Sequence, residues 1–150
     1  MMVNDSGGRE PVATTERNDA QVTKETIERF YAAIMAWDED AVREVVDENA
    51  ELHQPPTVPY GKIYRGPQEM MGVWKNVILP LADSGTAYVD NMIIEGEFAA
   101  VIAGAKMDGK DTLACEEYHV RDGRIVRIRM FWWDPAPVAE AANRRRAAQR

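Results

Sequence analysis

Two acidic residues and a tyrosine stand together late in the chain, at Glu116, Glu117 and Tyr118. Their segment is rich in residues that favour strands, and strand side chains alternate between two faces. Glu116 and Tyr118 therefore share one face, and Glu117 takes the other. A carboxylate enclosed by apolar side chains resists ionisation, so its pKa rises toward the range of proton transfer at neutral pH. Glu116 is our first candidate for a catalytic acid or base.

The turn after this strand decides which glutamate lies inside. The stretch VRDGRI resembles a type I turn followed by a left-handed glycine, which pairs Val120 with Arg124 and forms a bulge. In that register Glu116 lies opposite Ile128 on the apolar face of the last strand, and Glu117 lies outside. A two-residue turn would instead shift the register by one residue and bring Glu117 inside.

Four further side chains are candidates for catalytic or supporting roles. Asp134 falls on the same inward face of the last strand as Met130 and Trp132, so it could share acid and base roles with Glu116. It could instead begin the turn DPAP. His53 can shuttle protons at neutral pH, although strand alternation with Gln54 inward turns it outward. Tyr118 and Tyr31 could donate hydrogen bonds to a carbonyl or enolate oxygen, or they could pack in the core.

Composition argues against several classes of function. The net charge of −7 does not suit a phosphate-binding surface, so we expect no nucleic-acid partner. A single cysteine, Cys115, and two histidines leave no internal disulfide and little for a metal site, so we expect no metal. No apolar run approaches the ~20 residues that span a bilayer, and the N-terminus is polar, so we expect a cytoplasmic protein without membrane contact.

Helical periodicity predicts three helices in the first half of the chain. They begin near Thr23, Asp38 and Gly66, and the first ends near Trp37. Residues 50–54 form a brief strand between the second and third helices, and the proline-rich residues after it form an ordered loop.

The second half of the chain alternates as strands do. We expect strands over 86–94, 98–106, 112–120 and 125–133, joined by three short turns that each contain glycine. Helices followed by a meander indicate the α+β class, with three N-terminal helices packed on a strongly curved, mostly antiparallel sheet around an internal pocket.

The two ends of the chain differ from the middle. Residues 1–20 are polar without apolar periodicity and predict a disordered arm, whereas residues 21–136 form the domain. Residues 137–150 carry four arginines and predict a solvated basic tail.

Three segments carry a family resemblance: ERFYAAIMAWDEDAVREVVDENAELHQPP, VPYGKIYRGPQEM and EEYHVRDGRIVRIRMFWWDP. Over residues 22–136 the chain resembles the SnoaL-like members of the nuclear-transport-factor-2-like superfamily, which includes the ketosteroid isomerases. The resemblance implies a cone-shaped sheet, a buried ligand cavity and a homodimer through the outer sheet face, where Arg129, Phe131 and Trp133 would suit an interface.

The catalytic residues of the isomerases carry over only in part. Their general-base aspartate falls at Gln54, which cannot take a proton, and their oxyanion-stabilising tyrosine falls at Phe30, with Tyr31 beside it. Their protonated aspartate matches Glu116. The limonene epoxide hydrolases carry an aspartate where this chain has Met130, so their triad is absent.

SnoaL-like cyclases use a pocket aspartate or histidine in a metal-free aldol closure, for which Asp134, Glu116 and His53 are available. We therefore expect a cofactor-independent cyclase, isomerase or dehydratase that acts on a hydrophobic, carbonyl-containing compound such as a polyketide or steroid. The alternative is a non-catalytic binding protein for an apolar small molecule. The ligand-binding candidates are Tyr31, Gln54, Tyr60, Trp74, Met130 and Trp132.

Overall fold

Helices cover one face of a six-stranded sheet in residues 13–150, the part of the chain that this computed structural model describes. In chain order the elements are α1 (Ala13–Ala36), α2 (Glu39–Val45), β1 (Val46–His53), β2 (Ile63–Arg65), α3 (Gly66–Val73), a π-helical turn (Trp74–Ile78), α4 (Leu79–Leu81), β3 (Tyr88–Glu95), β4 (Phe98–Met107), β5 (Lys110–Arg121), β6 (Arg124–Trp132) and α5 (Ala136–Ala148). The predicted α+β class is confirmed.

The sheet is curved and unclosed, with the strand order β2-β1-β6-β5-β4-β3. All pairs are antiparallel except β1 with β6, which run parallel. The predicted meander consists of the four strands from β3 to β6. None of the helices described is long and apolar enough to cross a membrane.

Helix α1 begins earlier than its periodicity predicted. It starts at Ala13 and not near Thr23, so residues 13–20, which we assigned to a disordered arm, are helical. Residues 1–12 lie outside the described part of the chain. Thr23 is buried and is not a cap, and its hydroxyl donates to the carbonyl of Gly96 at 2.8 Å. This bond ties α1 to the β3–β4 turn.

The second and third helices begin where the sequence predicted. Asp38 caps α2 by accepting a hydrogen bond from the backbone of Ala41 at 3.0 Å. Helix α3 runs on into the π-helical turn and α4, because the backbone stays helical at both junctions. Pro80 has no N–H to give to the carbonyl of Asn76, so a regular α-helix is interrupted at this point.

The β5–β6 turn differs from its prediction. Arg121 pairs with Arg124 across a two-residue turn, whose central residues Asp122 and Gly123 have φ of 51° and 70°. Positive φ at both positions defines a type I′ turn, which matches the twist of the strands. The predicted pairing of Val120 with Arg124 is therefore wrong.

A bulge in β6 then keeps Glu116 on the face that was predicted for it. Val120 pairs with Ile125 whereas His119 pairs with Arg127, so Val126 is one extra residue in β6. The extra residue shifts the register by one residue more in the same direction, so the two shifts together preserve the faces of the strand. Glu116 consequently stays on the inner face, although it lies opposite Met130 and not opposite Ile128 as predicted.

The C-terminal segment is a helix and not the predicted solvated tail. In α5 the side chains of Val138, Ala141 and Ala142 are buried in a second apolar cluster that includes Leu81. Their spacing of three and four residues is helical, and this signal was present in the sequence.

Substitution of Val138 tests whether α5 belongs to the folded domain. Val138 is fully buried, so we expect Val138→Ala to lower the free energy of unfolding by about 1–2 kcal/mol. The matched control is Val89→Ala, at a position that is 52% exposed, which should cost no more than about 0.5 kcal/mol. Urea unfolding followed by circular dichroism measures both, and equal costs would contradict the docked helix.

Candidate functional site

A cavity of about 550 Å³ lies between the helices and the inner face of the sheet. It is lined by Glu28, Tyr31, Ile34, Met35, Trp74, Ile78, Leu79, Ala82, Ala87, Tyr88, Val89, Met92, Ala103, Gly104, Ala105, Met107, Thr112, Ala114, Glu116, Met130 and Trp132. The lining contains two carboxylates and, among the described residues, no lysine, arginine or histidine. It therefore suits a ligand that is mostly apolar and carries no negative charge.

Glu116 is the buried carboxylate of this cavity. It projects from β5, is 4% exposed, and receives hydrogen bonds from two tyrosines. The hydroxyl of Tyr31, on α1, donates to Oε2, and the hydroxyl of Tyr118 lies 2.9 Å from the same oxygen and 3.1 Å from the Tyr31 hydroxyl. No donor within the described residues reaches Oε1, so that oxygen is left for a ligand.

Burial controls the ionisation of this group. Desolvation raises the pKa of Glu116 above its ordinary value, and the hydrogen bonds from Tyr31 and Tyr118 oppose the rise without cancelling it. Burial and the adjacent carboxylate raise the pKa of both tyrosines as well. The tyrosines therefore remain neutral donors, and Glu116 is a carboxyl group whose ionised form is disfavoured by burial.

Aromatic packing holds the two tyrosines in place. The ring of Phe30 makes edge contacts with Tyr118 and Trp74, with centroids 6.2 and 6.5 Å away, and Tyr31 packs against Tyr118 at 6.2 Å. Phe30 is fully buried in the core. The hydroxyl that the resemblance placed at Phe30 is thus supplied one residue later, by Tyr31.

The structure separates the predicted ligand-binding residues into two groups. Tyr31, Trp74, Met130 and Trp132 line the cavity. Gln54 and Tyr60 do not, which corrects that prediction: Gln54 is 95% buried beside the cavity, and Tyr60 packs between the two apolar clusters.

Two predicted catalytic residues lie away from the cavity. Asp134 is exposed because β6 ends at Trp132, and its carboxylate accepts from the backbone of Ala136 at 3.0 Å, as expected for the alternative turn role. His53 lies on the outer face, where it is 2.6 Å from Glu51. Neither can act on a ligand in this cavity.

Glu117 lies on the outer face, as predicted. It bonds to Arg129 at 2.8 Å and Arg127 at 3.1 Å. Partial burial opposes ionisation, but these two guanidinium groups hold the pKa of Glu117 below its ordinary value. The pair of adjacent glutamates thus contains one ordinary surface ion-pair partner and one buried acid.

Strands β3 and β4 form part of the cavity wall that the sequence did not lead us to predict. The consecutive small residues Ala103, Gly104 and Ala105 line the cavity, and the ring of Tyr88 lies over Gly104. A Cβ at position 104 would stand 2.5 Å from the Tyr88 hydroxyl, so glycine is required there for the ring to keep its place. The run of small residues that follows Val101 and Ile102 was the available signal.

A metal ion has no evident site in the structure described. Among the side chains that the structure describes, those of residues 18–150, no three of histidine, cysteine, aspartate or glutamate converge closely enough to hold one.

Comparison with protein families matches residues 27–128 to the SnoaL-like domain. A search of curated proteins finds no match to the chain.

Solved structures with the same fold are numerous. Bal32a, from a soil-derived mobile gene cassette, superposes with a TM-score of 0.67 at 22% identity over 83% of this chain and 99% of its own. A Kribbella flavida protein provisionally assigned as a ketosteroid isomerase gives 0.62 at 14% identity, over 77% and 81% of the two chains. IdmH of Streptomyces antibioticus, provisionally assigned as a polyketide cyclase, gives 0.61 at 23% identity, over 81% and 98%. At these identities the likeness shows the fold alone.

A carboxyl NMR titration tests the environment of Glu116. We expect its pKa to lie above that of a free glutamate, and Tyr31→Phe to raise it further, because the lost hydrogen bond stabilised the carboxylate. Glu116→Gln assigns the resonance. An ordinary pKa in the wild-type protein would mean that the carboxyl is solvated and would contradict the buried site.

Proposed function

Because this chain belongs to the SnoaL-like domain family, we propose that it is a cofactor-independent enzyme that uses Glu116 for acid/base chemistry on a hydrophobic carbonyl compound. The observation that supports this most directly is the buried Glu116 carboxyl in the cavity lining, with two tyrosine hydroxyls on Oε2 and no donor among the described residues on Oε1. A polyketide- or steroid-like ring fits an apolar enclosure of about 550 Å³.

The proposed reaction begins with removal of a proton next to the substrate carbonyl. Oε1 of Glu116 takes the proton, and the electron pair of the C–H bond passes into the enolate. Once protonated, Glu116 is a weaker acceptor for Tyr31, whose hydroxyl can then donate to the enolate oxygen. The raised pKa of Glu116 suits this role, because a base is most effective when its pKa lies near the working pH.

The second half of the reaction returns the proton. In an isomerisation, Glu116 delivers it to another carbon of the conjugated system. In an aldol closure, the enolate carbon attacks a second carbonyl of the same molecule, and the proton from Glu116 neutralises the new alkoxide. One carboxyl group is sufficient for either outcome, so the exposed position of Asp134 does not count against it.

Deuterium exchange tests the first step without knowledge of the natural substrate. In D₂O the wild-type protein should catalyse exchange at the carbon next to the carbonyl of 2-tetralone, followed by proton NMR. Glu116→Gln should slow the exchange about 10²–10⁴-fold, because the general base is lost. The matched control is Glu117→Gln, which changes the adjacent glutamate on the outer face and should leave the rate unchanged.

The two classes of function predict different results in this assay. Equal rates for Glu116→Gln and the wild type would exclude Glu116 as the base. Binding of the ketone by the wild type without exchange above the uncatalysed rate would favour the alternative, a non-catalytic binding protein. The specific observation on that side is the mostly apolar lining of the cavity.

We also propose that the chain forms a homodimer through the outer face of the sheet. Phe131 and Trp133 are 53% and 86% exposed on one side of the last strand and its extension, and large apolar side chains of this kind are typical of interface centres.

Trp133→Glu tests this interface. We expect the substitution to convert a dimer to a monomer in light scattering after size exclusion, because a charge would be buried without a partner. Trp37→Glu, at a tryptophan that is 43% exposed at the end of α1, is the control and should keep the dimer. A wild-type monomer would contradict the proposal.

A further inference from the structure

The cavity opens to solvent at a mouth formed by lining residues that are themselves exposed. Among the residues described, these are Glu28, Met35, Ala87, Tyr88 and Val89. Glu28 is the charged member of this group, and its side chain is 53% exposed. A ligand that enters or extends through the mouth therefore meets one carboxylate on an otherwise mostly apolar rim.

Helix α1 places Glu28 close to the Glu116 site. Glu28 precedes Tyr31 by three residues, so the two side chains lie on the same face of the helix, with Cβ atoms about 5–6 Å apart. The Tyr31 hydroxyl donates to Oε2 of Glu116, whereas Oε1 of this buried carboxyl has no donor within the described residues. A ligand bound at Glu116 and Tyr31 thus has Glu28 about one helical turn away.

The contacts of Glu28 leave its carboxylate available to a ligand. Its Oε1 lies 2.8 Å from Nζ of Lys24, which is half exposed and stands one turn earlier on α1. No donor in the described part of the chain reaches Oε2. Exposed ion pairs of this kind contribute little, because solvent screens both charges. A cationic group of a ligand can therefore bind Oε2 or take the place of Lys24.

The charge of the surroundings favours a cationic ligand. The cavity lining contains two carboxylates, Glu28 and Glu116, and no basic side chain among the described residues. The whole chain carries a net charge of −7. A negative potential raises the local concentration of cations and disfavours anions. The group that fits beside Glu28 is therefore a protonated amine, attached to an apolar body that fills the cavity.

We propose that Glu28 is a specificity-determining residue that binds a protonated amine of the ligand at the mouth of the cavity. The substrate is then a hydrophobic ketone that carries a basic nitrogen. This inference rests on the proposed function, because it takes Glu116 as the partner of the ketone end. The carbonyl and the amine would be separated by about one helical turn, ~5 Å, and a para-substituted benzene ring spans a comparable distance.

Two ketones of the same shape measure the contribution of the amine. The probes are 4′-(dimethylaminomethyl)acetophenone and 4′-isobutylacetophenone, in which a protonated nitrogen replaces a C–H group. Isothermal titration calorimetry at low ionic strength gives the Kd of each. The readout is the preference ratio, the Kd of the isobutyl compound divided by that of the amine, because general effects on packing cancel in it. We expect a ratio above one for the wild type.

Substitution of Glu28 tests the proposed contact directly. Glu28→Gln should lower the preference ratio about fivefold, as the loss of an ion pair at an exposed site would give. The matched control is Glu25→Gln, which removes the same charge from an exposed position on α1 outside the cavity lining and should leave the ratio unchanged. Lys24→Gln should raise the ratio, because it removes the competing cation. High salt should lower the wild-type ratio by screening the contact.

The outcomes separate this inference from the proposed function. The role of Glu28 is overturned by a wild type that prefers the isobutyl compound, by equal ratios in the wild type and Glu28→Gln, or by an equal fall in Glu25→Gln. Deuterium exchange at the acetyl methyl group of the same ketones tests Glu116. Glu116→Gln should slow this exchange and leave the ratio above one. If exchange is unaffected, the proposed function fails while the ratio still reports on Glu28.

Discussion

The carboxyl group of Glu116 is buried in an apolar enclosure, and the arrangement of the site around it follows from that burial. A carboxylate in an apolar enclosure must lose its charge or gain donors. Here two phenols, Tyr31 and Tyr118, supply donors without supplying a positive charge, so the pKa of Glu116 stays raised. One residue further on, Glu117 has two arginines and its pKa is lowered. The pKa values of these two adjacent glutamates are thus shifted in opposite directions, because strand alternation places one side chain on the inner face and the other on the outer face.

That constraint has consequences for packing and for stability. Tyr31 reaches Glu116 because α1 lies against the sheet, packed through Phe30 and bonded through Thr23 to the β3–β4 turn. A carboxyl with a raised pKa binds its proton more tightly in the folded state than in the unfolded chain. Its contribution to stability is therefore fully present below the unfolded pKa, and it is lost as the pH rises through the folded pKa. The fold thus holds the Glu116 carboxyl group where its ionisation is unfavourable, which is typical of sites of proton transfer.

Local patterns predicted much of the fold. The helices that begin near Asp38 and Gly66 and the four strands of the meander follow from caps, proline position and apolar period, which act over a few residues. The features that were not predicted correctly include the early part of α1, helix α5, strand β2, the β5–β6 turn and the bulge at Val126. Helix α5 depends on contacts with a distant element, because Val138, Ala141 and Ala142 are buried in a cluster with Leu81. The bulge depends on the register that β5 and β6 adopt after their turn, and the sequence of neither strand alone determines that register.

For the site, residue types and strand alternation were enough to predict that Glu116 and Tyr118 share a face and that His53 lies outward. They also identified Tyr31, Trp74, Met130 and Trp132 as cavity residues. The contact of Tyr31 with Glu116, 85 residues away in the chain, and the place of Asp134 beyond the end of its strand follow instead from how the elements pack. The reason is physical. Alternation is a local property of the backbone, whereas convergence on one cavity depends on the packing of a helix against a sheet and on a register that a single residue can shift.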